Sequence, residues 1–201
     1  MVTIAIASLK GGVGKTTTAI HLAAYFQLLA PTLLCDGDTT RSSLQWAKAG
    51  LLPFKVVDYL AVVNHVKQYT HVIIDTQGGL NQDELNTLAD GCDLLVIPTT
   101  PDLLSLSPCI ETAKQIPKSA KYKILLTRCA TISKRKTLDA RSVLTNLGLP
   151  LFKGEIRELM VFKDAALEGQ SVRDFKSSTS DAAWLCYEKV GKEISQELIL
   201  K

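Results

Sequence analysis

The sequence predicts an α/β protein whose sheet is mostly parallel, twisted and flanked by helices on both faces. Three observations carry that expectation. Short apolar runs alternate with helical patterns along most of the chain, which is the rhythm of βαβ units. A glycine-rich loop separates the first apolar run from the first helical pattern. The sharply polar residues Lys10, Lys15, Asp36, Asp38, Asp75 and Arg128 fall just past apolar runs, where open α/β sheets receive their ligands.

The elements follow in order. Residues 2–7, V-T-I-A-I-A, read as a buried parallel strand. Residues 8–15 are a loop, S-L-K-G-G-V-G-K, and 16–29 a helix that Pro31 stops. Residues 32–35 form a second strand that runs into Asp36-Gly37-Asp38. Residues 41–49 read as a short helix closed by Gly50. A short strand at 54–57, a helix with an apolar face at 58–68 and a strand at 71–74 lead to Asp75. Then come a helix at 81–89, a strand at 93–97 and a helix at 103–116 that tolerates Pro108. A strand at 122–127 and a helix at 136–147, closed by Gly148, follow; Leu151 and Phe152 mark a short last strand. A terminal helix starts near Asp181. Its stripe of Ala183, Cys186, Tyr187, Val190 and Ile194 is suited to packing on the sheet.

The chain has 201 residues, 46% of them hydrophobic and 21% charged. That suits a single domain over 1–201 with a sizeable core, and leaves little room for a second one. The five cysteines are odd in number and show no C-x-x-C spacing. They read as buried free thiols in a reducing cytoplasm. Residues 1–8 run into the glycine loop without a signal-peptide pattern, and no apolar run of membrane-spanning length occurs. The net charge is only +3. Its distribution is uneven: residues 118–176 hold 13 Lys/Arg against 6 Asp/Glu, a net of +7, and the remainder holds 10 against 14, a net of −4.

The loop Gly11-Gly12-Val13-Gly14-Lys15-Thr16 fits the phosphate-cradling pattern G-x-x-x-x-G-K-[ST], with Ser8 in place of the first glycine. Glycines let successive N–H groups converge on one anion, and the helix behind adds its positive end. Lys15 would reach the β- and γ-phosphates, and Thr16 would place its hydroxyl on Mg²⁺. Asp75, after the run His71-Val72-Ile73-Ile74, stands where a carboxylate holds a metal-bound water. Asp36 and Asp38 flank Gly37. Two like charges so close suggest one carboxylate near the metal and one that orients water. Lys10 precedes the glycines, where an ordinary phosphate loop requires no lysine. It can point away from its own phosphates and toward those of a neighbour, in the manner of an arginine finger.

These boxes bring a family into view. Leu9 to Thr17, L-K-G-G-V-G-K-T-T, resembles the deviant Walker A box of the ParA/MinD superfamily of P-loop (SIMIBI-type) NTPases. Asp36-Gly37-Asp38 resembles its A′ box and Ile73-Ile74-Asp75-Thr76 its B box. The stretch 36–50, Leu126-Thr127-Arg128 and Gly169-Gln170-Ser171-Val172 are similar to the small ParF-like ParA proteins that lack an N-terminal DNA-binding domain. The resemblance implies an ATPase that binds Mg·ATP at 10–17. It implies a nucleotide-sandwich homodimer with Lys10 on the partner's phosphates. Asp38 would orient water, Thr16, Asp36 and Asp75 would surround the metal, and Arg128 would lie near adenine. Residues 38–45 and 76–80 would be the switches. Two departures fall in those switches: Asp38-Thr39-Thr40-Arg41 and Asp75-Thr76-Gln77-Gly78 stand where many members have proline-containing sequences.

The resemblance further implies an ATP dimer that binds double-stranded DNA without regard to sequence, in the cytoplasm and on the nucleoid. An adaptor protein would stimulate hydrolysis and so segregate a plasmid or position a protein cargo. Lys134, Arg135, Lys136, Arg157, Lys163 and Arg173 are the expected DNA contacts, from a surface that would hold phosphates with strong salt dependence. Three other classes compete. A MinD-like membrane regulator needs a basic amphipathic C-terminus, which Glu188, Glu193 and Glu197 oppose. A small-molecule ligase or synthetase would gain nothing from the basic segment. An iron–sulfur reductase would need two cysteines placed near a dimer axis.

Overall fold

The computed structural model describes residues 1–199. Six strands make one sheet: β1 (Val2–Ser8), β2 (Thr32–Gly37), β3 (Lys55–Asp58), β4 (His71–Gly78), β5 (Leu94–Thr99) and β6 (Tyr122–Leu126). Their order is β3-β2-β4-β1-β5-β6, and every pairing is parallel. The helices are α1 (Lys15–Gln27), α2 (Ser42–Trp46), α3 (Gln82–Gly91), α4 (Leu103–Gln115), α5 (Arg135–Asn146), α6 (Val161–Leu167) and α7 (Ser180–Ile199).

A parallel sheet covered on both faces needs strands that are apolar on both sides. Strand β1 shows how this is met. Ile4 and Ile6 join one core, with α1 and α7; Ala5 and Ala7 join the other, with α3, α4 and α5. Strand β5 divides the same way, Leu94 and Val96 to the first core and Leu95 and Ile97 to the second. Alternation of side chains along a strand thus feeds two separate cores from one run of sequence. The chain leaves β1 toward β2 on one side and reaches β5 on the other. The carboxyl end of β1 therefore lies at the point where the strand order reverses, the usual crevice for ligands in such sheets.

Caps fix the helices around that crevice. Asn81 and Glu84 form a reciprocal capping box at the start of α3. Asp102 caps α4 by accepting from Ser105 N at 3.1 Å. The apolar stripe of α7 packs as expected: Ala183 joins α6 in a small third cluster, and Cys186, Tyr187, Val190 and Ile194 enter the first core.

Two expectations need correcting, and one element had none. Residues 58–68 do not form an α-helix; they wind as 3₁₀ turns at Tyr59–Asn64 and Val66–Gln68. Asp58 caps the first turn, but Leu60 and Val63 point into solvent, so no apolar face is buried to stabilise a longer helix. Leu151 makes only an isolated bridge to Ile124 rather than a strand. Helix α6 was not anticipated, because its seven residues are too few for a clear period. All five cysteines are free, and burial pushes the Cys35 and Cys109 thiols up to about 12. No helix among the described residues is long and apolar enough to cross a membrane.

Candidate functional site

Strand β1 ends at Ser8, and the chain turns through the glycine loop into α1. Gly12 and Gly14 adopt φ of 76° and 89°, a left-handed backbone that a side chain would strain. This curl leaves an open cleft of about 490 Å³ lined by Gly11, Gly12, Gly14, Lys15, Thr16, Thr17, Asp38, Gln77, Gly78 and Arg128, with Thr39, Thr40 and Ser42 along its rim. Val13 is turned inward and buried, and its carbonyl accepts from the Thr127 hydroxyl at 2.8 Å. That bond ties the loop to the end of β6.

Lys15 is almost fully buried at the base of the cleft. Burial lowers its pKa, while the charges of Asp75 and Asp38 work in the opposite direction. Its ammonium donates to the Lys10 carbonyl at 3.4 Å. Asp75 is completely buried, and burial raises its carboxyl to about 6, opposed by the hydroxyls of Ser43 and the adjacent Thr16 and aided by the charges of Asp36 and Asp38. The Ser43 hydroxyl donates to Asp75 Oδ2 at 2.8 Å, whereas Oδ1 has no hydrogen-bond partner. An orphaned carboxylate oxygen beside a phosphate cleft fits a hydrated divalent cation, which would satisfy both its lone pairs and its charge.

The two A′-box acids separate in space. Asp36 is wholly buried and absent from the cleft wall. Its oxygens accept from Asp38 N at 3.0 Å and Leu44 N at 2.9 Å, so it shapes the segment that carries Asp38. Asp38 reaches the cleft, and its Oδ1 accepts from the backbone and hydroxyl of Thr40, each at 2.9 Å.

Lys10 does not line the cleft. Its ammonium donates to Ser105 Oγ at 2.7 Å and lies 3.8 Å from Asp102, on the start of α4. The two lysines of one loop thus face different ways. Arg128 holds φ of 50°, a left-handed conformation uncommon for arginine. It stands between the phosphate cleft and a second hollow of about 180 Å³ walled by Trp46, Ile156, Phe162 and Tyr187.

The expected DNA contacts divide. Lys134 and Arg157 share a polar hollow with Arg141, Lys153 and Lys189, and Arg157 also borders Lys163. Arg157 therefore stands between the hollow that holds Lys134 and the one that holds Lys163. Arg135 projects into solvent at the start of α5, and Lys136 stands beside Arg128. Arg173 joins none of these hollows and pairs with Asp174 at 3.1 Å. Two residues that support the site from behind had no signal in the sequence. Ser43, on α2, is the partner of Asp75. His21, on α1, donates from Nδ1 to Thr17 O at 2.7 Å and accepts from Val172 N at 3.1 Å through Nε2.

The sequence matches the CobQ/CobB/MinD/ParA nucleotide-binding domain over residues 4–172. The chain belongs to that family. Among its relatives is the maintenance of carboxysome distribution protein A of Gloeobacter kilaueensis, 32% identical over 203 aligned positions that take in 96% of this chain and 94% of that protein. The fold recurs in a McdA–ATP complex from Cyanothece, at a TM-score of 0.70 and 17% identity, covering 100% of this chain and 97% of that one. It recurs in the septum site-determining protein MinD with Mg-ADP from Pyrococcus horikoshii, at a TM-score of 0.71 and 19% identity, covering 96% and 95%. The resemblance drawn from the three boxes is thereby borne out, as is the fold class. The nucleotide-binding family supplies the reading of the cleft as a nucleotide site.

Proposed function

We propose that the protein is an ATP-driven positioning ATPase whose cargo is a protein body. Mg·ATP binding would assemble a nucleotide-sandwich homodimer that holds nucleoid DNA without sequence preference. An adaptor protein on the cargo would stimulate hydrolysis to ADP and phosphate and release the dimer. The observation that carries this reading is the divided orientation of the two loop lysines: Lys15 sits inside its own cleft, and Lys10 is turned out of it. A lysine unused by its own cleft can serve a second copy once it leaves Ser105 and Asp102. The kinship with a carboxysome distribution protein supports a protein cargo over a plasmid.

In this reading the loop amides and Lys15 would bind the phosphates, and Thr16 and Asp75 would hold the cation. The cation, when bound, would neutralise charge on the transferring phosphoryl group. Asp38 would orient the attacking water, and Asp36 would hold Asp38 in place through the backbone. Lys10 would stabilise charge on the partner's phosphates. Arg128 would border the base, which the aromatic hollow beside it is shaped to accept.

The decisive measurement is a titration of non-specific duplex DNA with the protein in ATP, ADP and no nucleotide, with light scattering on the same samples. Dimer and DNA binding should appear together in ATP only. Lys15→Ala should abolish both by removing nucleotide binding. Equal DNA binding in all three states would overturn the nucleotide switch.

A further inference from the structure

We propose that Thr100, Asp102 and Ser105 form a resting cradle that positions Lys10 in cis and must be vacated before Lys10 can serve another copy of the chain. The inference rests on the sandwich-dimer reading above. The cradle is a half-exposed polar cluster at the start of α4. Asp102 divides its work between its two oxygens. Oδ1 accepts from Ser105 N at 3.1 Å and so caps the helix. Oδ2 accepts from the Ser105 hydroxyl at 3.0 Å and from the hydroxyl of Thr100. Thr100 Oγ1 also lies 2.6 Å from Ser105 Oγ.

With the Ser105 proton directed at Asp102, a lone pair of Ser105 Oγ is left to accept from the Lys10 ammonium at 2.7 Å. The Asp102 charge lies 3.8 Å from the same ammonium. Burial pushes the Asp102 carboxyl upward, but bonds from Thr100 and Ser105 and the charge of Lys10 outweigh it, so its pKa is lowered and it is ionised at neutral pH. A cation held by a carboxylate and an oriented hydroxyl is not a freely waving surface lysine.

The backbone of Lys10 is tied as well. Its carbonyl accepts from Lys15 Nζ at 3.4 Å, inside the cleft. A phosphate that draws the Lys15 ammonium to itself removes that bond. Occupancy of the cleft is thereby linked to the peptide that carries Lys10, while the cradle holds its far end. Dimer assembly then has to overcome the cradle, and hydrolysis leaves Lys10 a place to return to.

Asp102→Asn is the informative variant. Asparagine still caps a helix, so α4 is preserved while the charge is lost. Ser105→Ala removes the direct acceptor instead. Each should tighten ATP-dependent dimerisation of the full chain by roughly three- to tenfold, the range expected for one partly exposed charge-assisted contact. Binding of a fluorescent ADP analogue to the monomer should be unchanged. In a Lys10→Ala background the same two substitutions should have no effect on dimerisation, which separates a role through Lys10 from helix capping.

Unchanged or weakened dimerisation in either folded variant would overturn the cradle, as would an equal shift in the Lys10→Ala background. Should Asp102→Asn lose ADP binding, Ser105→Ala decides alone. A wild-type chain that binds ATP yet stays monomeric refutes the sandwich dimer itself, and the cradle with it. A wild-type dimer insensitive to both substitutions refutes only the cradle.

Discussion

His21 joins α1 to three other parts of the fold, through Tyr187, Trp46 and Val172. It is completely buried, stacks on Tyr187 with ring centroids 4.8 Å apart, and meets Trp46 and Phe162 edge-on. Accepting from Val172 N requires Nε2 to be unprotonated, so the neutral tautomer is built into the fold. Burial lowers its pKa from 6.5 to about 4, outweighing the favourable Thr17 carbonyl and the Asp174 charge. A depressed pKa contributes stability that is present above 6.5 and lost as pH falls toward 4. Wild-type stability should therefore drop by about 2–3 kcal/mol between pH 7 and 4.5 through this residue. Urea unfolding of wild type and His21→Gln at both pH values checks it: the variant should lose less than wild type by about that amount, and equal losses would contradict the assignment. A lone histidine in a helical pattern gives no hint of this, because its partners lie up to 166 residues away in sequence, at Tyr187. Lys10 is the converse. Its unusual position before the glycines was legible, but its resting partner Ser105, 95 residues on, was not.

At the scale of elements, the approach of α1 to α7 sets a tight limit. A Cβ placed on Gly191 would lie 2.3 Å from the Tyr25 ring, and Tyr25 is itself packed edge-on to Phe26. Gly191→Ala should force the helices apart and cost about 1–3 kcal/mol in chemical unfolding, despite alanine's better helix propensity. A neutral or stabilising result would mean that the ring has room to turn. The strands were the most legible elements, since short, mostly apolar runs such as Leu94–Pro98 and Ile124–Leu126, bounded by polar residues, suit a parallel sheet covered on both faces. The 3₁₀ turns at 59–68 were misread because Leu60 and Val63 mimic a helical face that nothing covers. Pro108 did not break α4, and the length of that helix was expected correctly. The phosphate loop was legible because backbone curvature demands glycines at fixed places; the bond from Ser43 to Asp75 was not, because any small polar residue reads alike in a turn.

Over the whole molecule, the basic segment resolves into a few available charges around Arg157 and several tied ones. Arg141 is committed to Phe152 O and Glu155, Lys123 to Glu197 and Arg173 to Asp174. Charge counting along the sequence treats all of these alike. Lys134, Arg157 and Lys163 remain without an ion pair among the described residues, and Arg157 borders both of the others through neighbouring hollows. Charge reversal at Arg157 or Lys163 should weaken ATP-dependent DNA binding by about tenfold and reduce the slope of log affinity against log salt by about one per lost phosphate contact. Arg173→Glu should change neither, and a filter-binding series over salt separates these outcomes.

Trp46 stands where two regions of the fold meet. Its indole N–H donates to Gln170 O at 3.0 Å, and its ring forms part of the hollow next to Arg128. The only other indole, Trp184, lies on α7 and does not line that hollow. The protein thus carries its own optical probe. Emission from Trp46 should respond to what enters beside the phosphate loop, and a Trp46→Phe variant that keeps the full signal change would assign it to Trp184 instead, so ligand arrival can be timed without attaching a dye.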